Sequence, residues 1–338
     1  MNHIKLIDIE IQRALCFSKF KTQCSKVIPD FTHWYWGLHT YPKLFTNDPV
    51  IPSLWLLNEE EKSKHSVTEL LEDVSKVALS ELKCDDEKKN KLIIQETNKK
   101  YILSYGEHKV SILKKTYKRL SKIGISPSLF KKLIFILCFR HKYIGIYNHN
   151  MQLSLLPKFM KYLSKSHNGN GEMFASSFNH TLGLYGSVFI DIEFYFGSIG
   201  NFFEVKKIKE GLWVLNPPFN VIVMEKMYDV VVEYMKLNPY LTFLITIPVW
   251  DHKGQEFLET KYKYSRYSAG DYPDLKLISK LEESEYKVEH KIFRETEINY
   301  FNYFSQKVIR NVTATHVFVL SNHKIPKILT PETLSFMM

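Results

Sequence analysis

Apolar and polar positions follow different periods in the two halves of the chain. In the first half apolar residues recur at three- and four-residue spacing, which gathers them on one face of a helix. Ile9 to Phe20 reads this way as a short amphipathic helix, and Val67, Leu70, Leu71, Val74, Val77, Ala78 and Leu82 carry the pattern into a charged, helical stretch from Leu56 to about Lys122. Ser126-Pro127-Ser128 reads as a helix start, because a proline in the first turn lacks only a donor that would have no helical partner. Leu129 to Phe139 follows as an apolar helix. The second half turns to short runs rich in β-branched and aromatic residues: Met173 to Ser176, Gly186 to Asp191, Leu212 to Asn216, Leu241 to Trp250 and Ala314 to Leu320. Helical patterns separate several of these runs, and that alternation predicts an α/β fold with a mostly parallel sheet between helices.

The 338 residues leave room for one large domain and a smaller one. A helical, basic amino-terminal module at 1–132, an α/β domain at 133–325 and a carboxyl-terminal tail at 326–338 are expected. With 45% hydrophobic and 14% aromatic residues, general disorder is excluded. The net charge of +10 favours a polyanionic partner, nucleic acid ahead of a membrane surface. Lys114, Lys115 and Lys118 lie with Lys88, Lys89 and others on the polar side of the helical stretch, where a basic face would follow a phosphate backbone; the competing reading is an ordinary solvated face. Trp34, Tyr35 and Trp36 read either as core filling or as a stacking platform for a base.

Cys16, Cys24, Cys84 and Cys138 form no CxxC pair and the histidines no HExxH pattern, so no metal site or disulfide framework is expected. An intracellular, reducing compartment fits better, with the cytoplasm favoured over the nucleus. No signal peptide and no membrane-spanning segment are expected.

The chemistry concentrates in Asn216-Pro217-Pro218-Phe219, which follows the strand run Leu212 to Leu215 and precedes a helical pattern through Val223, Met227, Val230, Val231 and Tyr234. Two prolines continue neither a ladder nor a helix interior, so the chain must hold a rigid turn at the carboxyl end of the strand. In open α/β sheets that edge is where ligands bind. Such a turn suits methyl transfer to the exocyclic amine of adenine, whose nitrogen lone pair is delocalised into the ring. The Asn216 side-chain carbonyl and the Pro217 main-chain carbonyl would accept the two N–H protons, and Phe219 would stack on the base. Orientation and placed dipoles then suffice, without a strong general base.

A methyl donor such as S-adenosylmethionine needs a close backbone turn after the first strand and an acid after the second for its ribose. Phe174-Ala175-Ser176 with Asn179 stands in the first place and Asp191 in the second. The loop Gly197-Ser198-Ile199-Gly200 adds small residues that let main chain approach a ligand. The tyrosine- and lysine-rich excursion from Asp251 to Glu283 reads as a loop carrying substrate contacts, with Trp250 at its start.

In this order the motifs resemble the catalytic region of the phosphorylated-CTD-interacting-factor family, the cap-specific adenosine N6-methyltransferases of eukaryotic mRNA. The resemblance runs over residues 133–322 and rests on Phe174-Ala-Ser, Phe189-Ile-Asp191, Tyr195-Phe-Gly-Ser-Ile-Gly200, Asn216-Pro-Pro-Phe219 and Ile247-Pro-Val-Trp250, with Leu155-Leu-Pro157 and Val317-Phe-Val-Leu agreeing in place. It implies a class I, Rossmann-like S-adenosylmethionine-dependent methyltransferase core behind a helical module, acting on RNA adenosine. Against the family's pattern, no amino-terminal WW module is expected, Ile199 stands where arginine is common, and Asn220, Val221 and Ile222 stand where acids follow the catalytic turn. The first change means that recruitment to transcribing polymerase is not implied, the second removes a cation near the site, and the third bears on cap reading, for which Glu225 stands one helical turn further on as a substitute acid. The expected target is therefore the cap-adjacent adenosine, or internal or poly(A) adenosines. The alternatives are a DNA adenine N6-methyltransferase, a glutamine side-chain methyltransferase, or a non-catalytic RNA- or cap-binding relative.

Overall fold

A computed structural model describes residues 6–64, 68–82, 90–146, 152–250, 276–310 and 312–338. Among the positions singled out above, Val67, Cys84, Lys88, Lys89 and the excursion over 251–275 lie outside these residues. The chain divides into two compact units, one comprising Met1–Met151 with Phe189–Ser198, the other Gln152–Val188 with Ile199–Met338.

The first unit opens with α1 (Leu6–Cys24) and α2 (Phe31–Leu38), followed by α3 (Glu59–Lys64) and α4 (Thr68–Ser80). The next segment corrects the helical expectation: residues 93–113 form an antiparallel sheet of β1 (Ile93–Glu96), β2 (Lys100–Tyr105) and β3 (His108–Leu113). The reason is local. Tyr101, Leu103 and Tyr105 alternate with polar or smaller neighbours, and Gly106, at φ 56°, takes the first place of a two-residue turn that pairs Tyr105 with His108. Then come α5 (Lys114–Leu120) and α6 (Pro127–Ile144), with Pro127 at the first turn and Gly145 closing α6 in the left-handed region at φ 89°. Every residue of α6 from Leu133 to His141 is buried, as a helix apolar on all sides must be. The expected boundary at 132/133 therefore falls inside this helix. A helical turn at Ile190–Glu193 also packs in this unit.

The second unit is built on a six-stranded mixed sheet. In chain order its elements are β4 (Leu153–Leu155), α7 (Pro157–Ser166), β5 (Gly169–Met173), β6 (Leu184–Tyr185), β7 (Gly211–Leu215) and α8 (Val221–Leu237). They continue with β8 (Leu241–Pro248), α9 (Lys276–Glu282), β9 (Lys287–Phe293), β10 (Tyr300–Asn302), β11 (Lys307–Ile309), β12 (Thr315–Ser321) and α10 (Pro331–Ser335). The large sheet has the order β6-β5-β7-β8-β12-β9. Its first four strands are parallel, and β12 runs antiparallel to both β8 and β9. The expected parallel core is present with an antiparallel end, an arrangement compatible with a Rossmann-like fold. Strand order reverses at β5: the chain goes to one side for β6 and returns to the other for β7, which makes the carboxyl ends of β5 and β7 a topological switch point.

Alternation along the strands sorts side chains to two cores. Trp213, Leu215, Phe243 and Ile245 face one side, against Met224, Met227, Val231 and Tyr234 of α8 and Leu277 and Leu281 of α9. Leu212, Val214 and Leu244 face the other, with Phe159 and Leu163 of α7 and Tyr300 of the small sheet β11-β10-β4. The segment expected as a tail belongs to this second core, where Ile328, Leu329 and Met337 are buried beside α10.

Candidate functional site

The turn after β7 forms as its sequence requires. The strand is buried from Leu212 to Leu215, Pro217 is buried behind it, and Asn220 starts α8 by accepting the Val223 main-chain N–H at 3.1 Å. This cap satisfies a donor that the first helical turn leaves open. Asn216 follows Val214 by two residues and so points to the same face, where its amide is held on both sides. Nδ2 donates to the Leu153 carbonyl at 3.1 Å, and Oδ1 accepts from the Thr246 hydroxyl at 2.8 Å. Phe219 is half-buried and meets Trp250 edge to face, with ring centroids 6.1 Å apart and an interplanar angle of 76°. The predicted stacking residue and the predicted substrate tryptophan are thus neighbours.

Met173 and Leu215 are register partners, so Phe174 and Asn216 leave adjacent parallel strands at the same edge. Phe174 adopts φ 60°, a conformation that costs a bulky residue about 1–3 kcal/mol and that gathers at binding sites. Its ring packs on Phe202 and Phe203, at 4.9 and 5.8 Å between centroids. Ala175 donates its N–H to Gly186 at 2.9 Å, tying the turn to the segment after β6. Ser176 and Asn179 are both buried and build the turn itself: the Asn179 carbonyl oxygen accepts from the Ser176 N–H at 2.7 Å, and the Ser176 hydroxyl donates to Gln152 at 2.7 Å. Both side chains are therefore used in holding the turn. Gly200, at φ 127°, accepts from the Ser187 N–H at 2.9 Å. A Cβ at Gly186 would stand 2.4 Å from the Met173 sulfur and 3.0 Å from the Gly200 carbonyl, so the close approach there requires glycine.

The expected strand Gly186 to Asp191 is shorter and earlier, confined to Leu184–Tyr185, and Asp191 lies in the helical turn Ile190–Glu193 of the first unit. Gly197, which ends the following 3₁₀ turn at φ 96°, and Ser198, which is buried, belong to the first unit as well. Both Asp191 oxygens accept from Arg140, at 2.6 and 2.8 Å. Arg140 is fully buried and also donates to both oxygens of Glu10, at 2.8 and 2.7 Å. Tyr143 adds a hydrogen bond to Glu10 at 2.7 Å, and Arg13 bridges Glu10 to Asp48. Burial alone would raise the Glu10 carboxyl, but Arg140, Arg13 and Tyr143 outweigh it and pull the pKa down to about 2. Burial likewise opposes the Arg140 charge, which Asp191 and Glu10 hold well above the usual arginine range.

Of the basic positions, Lys115 and Lys118 are exposed on α5, whereas Lys114 forms an ion pair with Glu96 of β1 at 2.5 Å. Trp34, Tyr35 and Trp36 are buried in α2, and Tyr35 stacks with Phe31 at 5.6 Å. Of the two readings of this trio, core filling holds and the stacking platform does not. Ile199 packs at the edge of the core beneath α8, and its N–H donates to Tyr185 at 2.9 Å. Glu225 is half-buried on α8, and burial pushes its carboxyl up against the pull of Lys280 and Lys276. Sequence reasoning missed Thr246 and Gln152. The only signal was a lone hydroxyl inside the apolar run Leu244-Ile-Thr-Ile247.

Among the described residues no group of histidine, cysteine, aspartate and glutamate could hold a metal ion, and no helix is long and apolar enough to cross a membrane. No curated protein matches the chain. Residues 112–272, just under half of the chain, match the family model described as the phosphorylated CTD interacting factor 1 WW domain. The matched range starts at the end of β3 and takes in α5, α6, the large sheet through β8 and the Asn216–Phe219 turn. It supports placing this segment in the phosphorylated CTD interacting factor 1 family, the family that the motifs of the second half resemble.

Proposed function

We propose that the second unit is an S-adenosylmethionine-dependent methyltransferase that modifies the N6 of adenosine in mRNA. The observation that carries this reading is the position of Asn216-Pro217-Pro218-Phe219 at the switch point of an open α/β sheet, register-matched to the left-handed turn at Phe174. The family match adds an mRNA-associated, cap-related setting, and the net charge of +10 agrees with a polyanionic substrate.

The residues fit a donor held by main chain and aromatic surface. Phe174 and Ala175 would hold it where β5 ends, with Gly200 beside β6; Ser176 and Asn179 keep that turn in shape. When bound, S-adenosylmethionine supplies an electrophilic methyl carbon. Asn216 Oδ1 and the Pro217 carbonyl accept the two amine protons, which favours a pyramidal nitrogen with its lone pair directed at that carbon. Phe219 and Trp250 hold the base by its face and edge. These residues would hold the amine in line with the donor's methyl carbon, and the surplus proton of the methylated amine would pass to water. The base must be unstacked for this, so single-stranded RNA is the preferred form.

The test is Asn216→Ala, assayed for transfer of labelled methyl to RNA adenosine and, by calorimetry, for binding of S-adenosylhomocysteine. The proposal expects transfer to be abolished and donor-site binding retained. Unchanged turnover would remove the assignment.

A further inference from the structure

Thr246 sits in β8, a strand in which all eight residues are buried. A hydroxyl in that setting needs a hydrogen-bond partner. Its neighbours across the parallel pair offer two acceptors: the Leu215 carbonyl at 3.5 Å and Asn216 Oδ1 at 2.8 Å. A hydroxyl has one proton to give, and the shorter distance takes it. On the far side of the amide the Leu153 carbonyl, in β4 of the small sheet, faces Asn216 Nδ2 at 3.1 Å. A carbonyl can only accept, so the atom facing it must be the NH₂ group. Hydrogen bonding alone therefore dictates which way the carboxamide points.

We propose that Thr246 is a positioning residue for methyl transfer, holding the Asn216 carboxamide so that one lone pair of Oδ1 is occupied and the other is presented to the target amine. The inference rests on the proposed function and extends it to specificity. An acceptor fixed in this way favours a base edge carrying an amine. An edge carrying a carbonyl would set its lone pair against the free lone pair of Oδ1 with no proton between them, so binding at this position discriminates adenosine from inosine. The three groups meet because β7 and β8 pair in parallel with Leu215 opposite Ile245, which brings the next residue of each strand side by side. Both then project to the face covered by β4.

The experiment compares Thr246→Val, which keeps the shape and removes the proton, with Thr246→Ser, which keeps the proton. Each full-length variant is assayed with labelled S-adenosylmethionine on adenosine-containing RNA and for S-adenosylhomocysteine affinity. The outer-shell partners that orient metal ligands cost about 10–100-fold in activity when removed, and the same scale is taken for an orienting partner of Asn216. T246V is expected to lose kcat by that order, with KM and affinity at the donor site unchanged, while T246S stays within about threefold of the unaltered protein. Equal kcat for T246V and the unaltered protein would overturn the inference. So would a loss of donor affinity in parallel with kcat in both variants, since that marks a general structural role. Absence of transfer by the unaltered protein would overturn the functional reading itself, and this inference with it.

Discussion

Replacing Arg140 by methionine tests the charge cluster of the first unit. The guanidinium satisfies Glu10, which is 1% exposed, and Asp191, whose side chain is 37% exposed and can turn to water. The cost of losing Arg140 therefore falls mainly on Glu10. Pulling its carboxyl from 4.5 to about 2 corresponds to roughly 3 kcal/mol of stabilisation of the charged form. Removing one partner of a buried pair costs about 3–5 kcal/mol, because the other charge stays buried and under-compensated. Arg140→Met should thus lower the urea-unfolding free energy at neutral pH by about 3–5 kcal/mol. Adding Glu10→Gln should recover part of the loss, since it removes the stranded charge. The acid dependence follows in sign: the folded pKa of Glu10 is depressed, so its contribution is complete above pH 4.5 and is lost as pH falls towards 2. In Arg140→Met the largest of the groups that pull the Glu10 carboxyl down is gone, so this acid slope should shrink. Stability within about 1 kcal/mol of the unaltered protein, or an unaltered acid slope, would refute the reasoning.

Two further outcomes are expected. Burial lowers the pKa of His39 from 6.5 to about 3, so it folds neutral; stability is full above pH 6.5 and falls with pH, by about 2 kcal/mol between pH 7 and 5. His39 stacks on Phe45 at 4.1 Å, so His39→Phe keeps the ring and should flatten that window in urea titrations; an identical pH dependence would count against a buried neutral imidazole. On α5, Lys115→Ala with Lys118→Ala should flatten the salt dependence of RNA binding by about 1.4 in log–log slope, at roughly 0.7 per contact on a single strand. Lys114→Ala should leave the slope nearly unchanged, because Glu96 already takes its charge; an unchanged slope in the double variant would mark the face as merely solvated.

The most legible part of the chain was where one local signal sufficed. A buried strand stopped by two prolines and followed by a helical period gives β7, the turn and α8 almost to the residue, and Ser126-Pro127 gives the start of α6. Strands with mixed surfaces were less visible. β9 alternates Lys287, Glu289 and Lys291 with Val288, His290 and Ile292, the charge that protects a sheet edge, and so shows no apolar run. β1 to β3 lie in a lysine-rich stretch where three- and four-residue coincidences imitate a helix. β6 has two residues, too few for any period. Partners distant in sequence were not legible at all: Arg140 meets Glu10 across 130 positions, and Thr246 meets Asn216 across 30. Such pairs are set by packing and register, which no window of sequence contains.

Methyl transfer to adenosine N6 through Asn216 is open to direct measurement. The most direct measurement incubates the protein with labelled S-adenosylmethionine and three RNAs: one capped with a first-position adenosine, the same RNA uncapped, and poly(A). Each is digested to nucleosides, with Asn216→Ala run alongside. The account predicts label recovered as N6-methyladenosine from at least one RNA and none from the variant; label in the capped RNA alone would assign the cap-adjacent adenosine. No label in any RNA, or equal label from the variant, would contradict it.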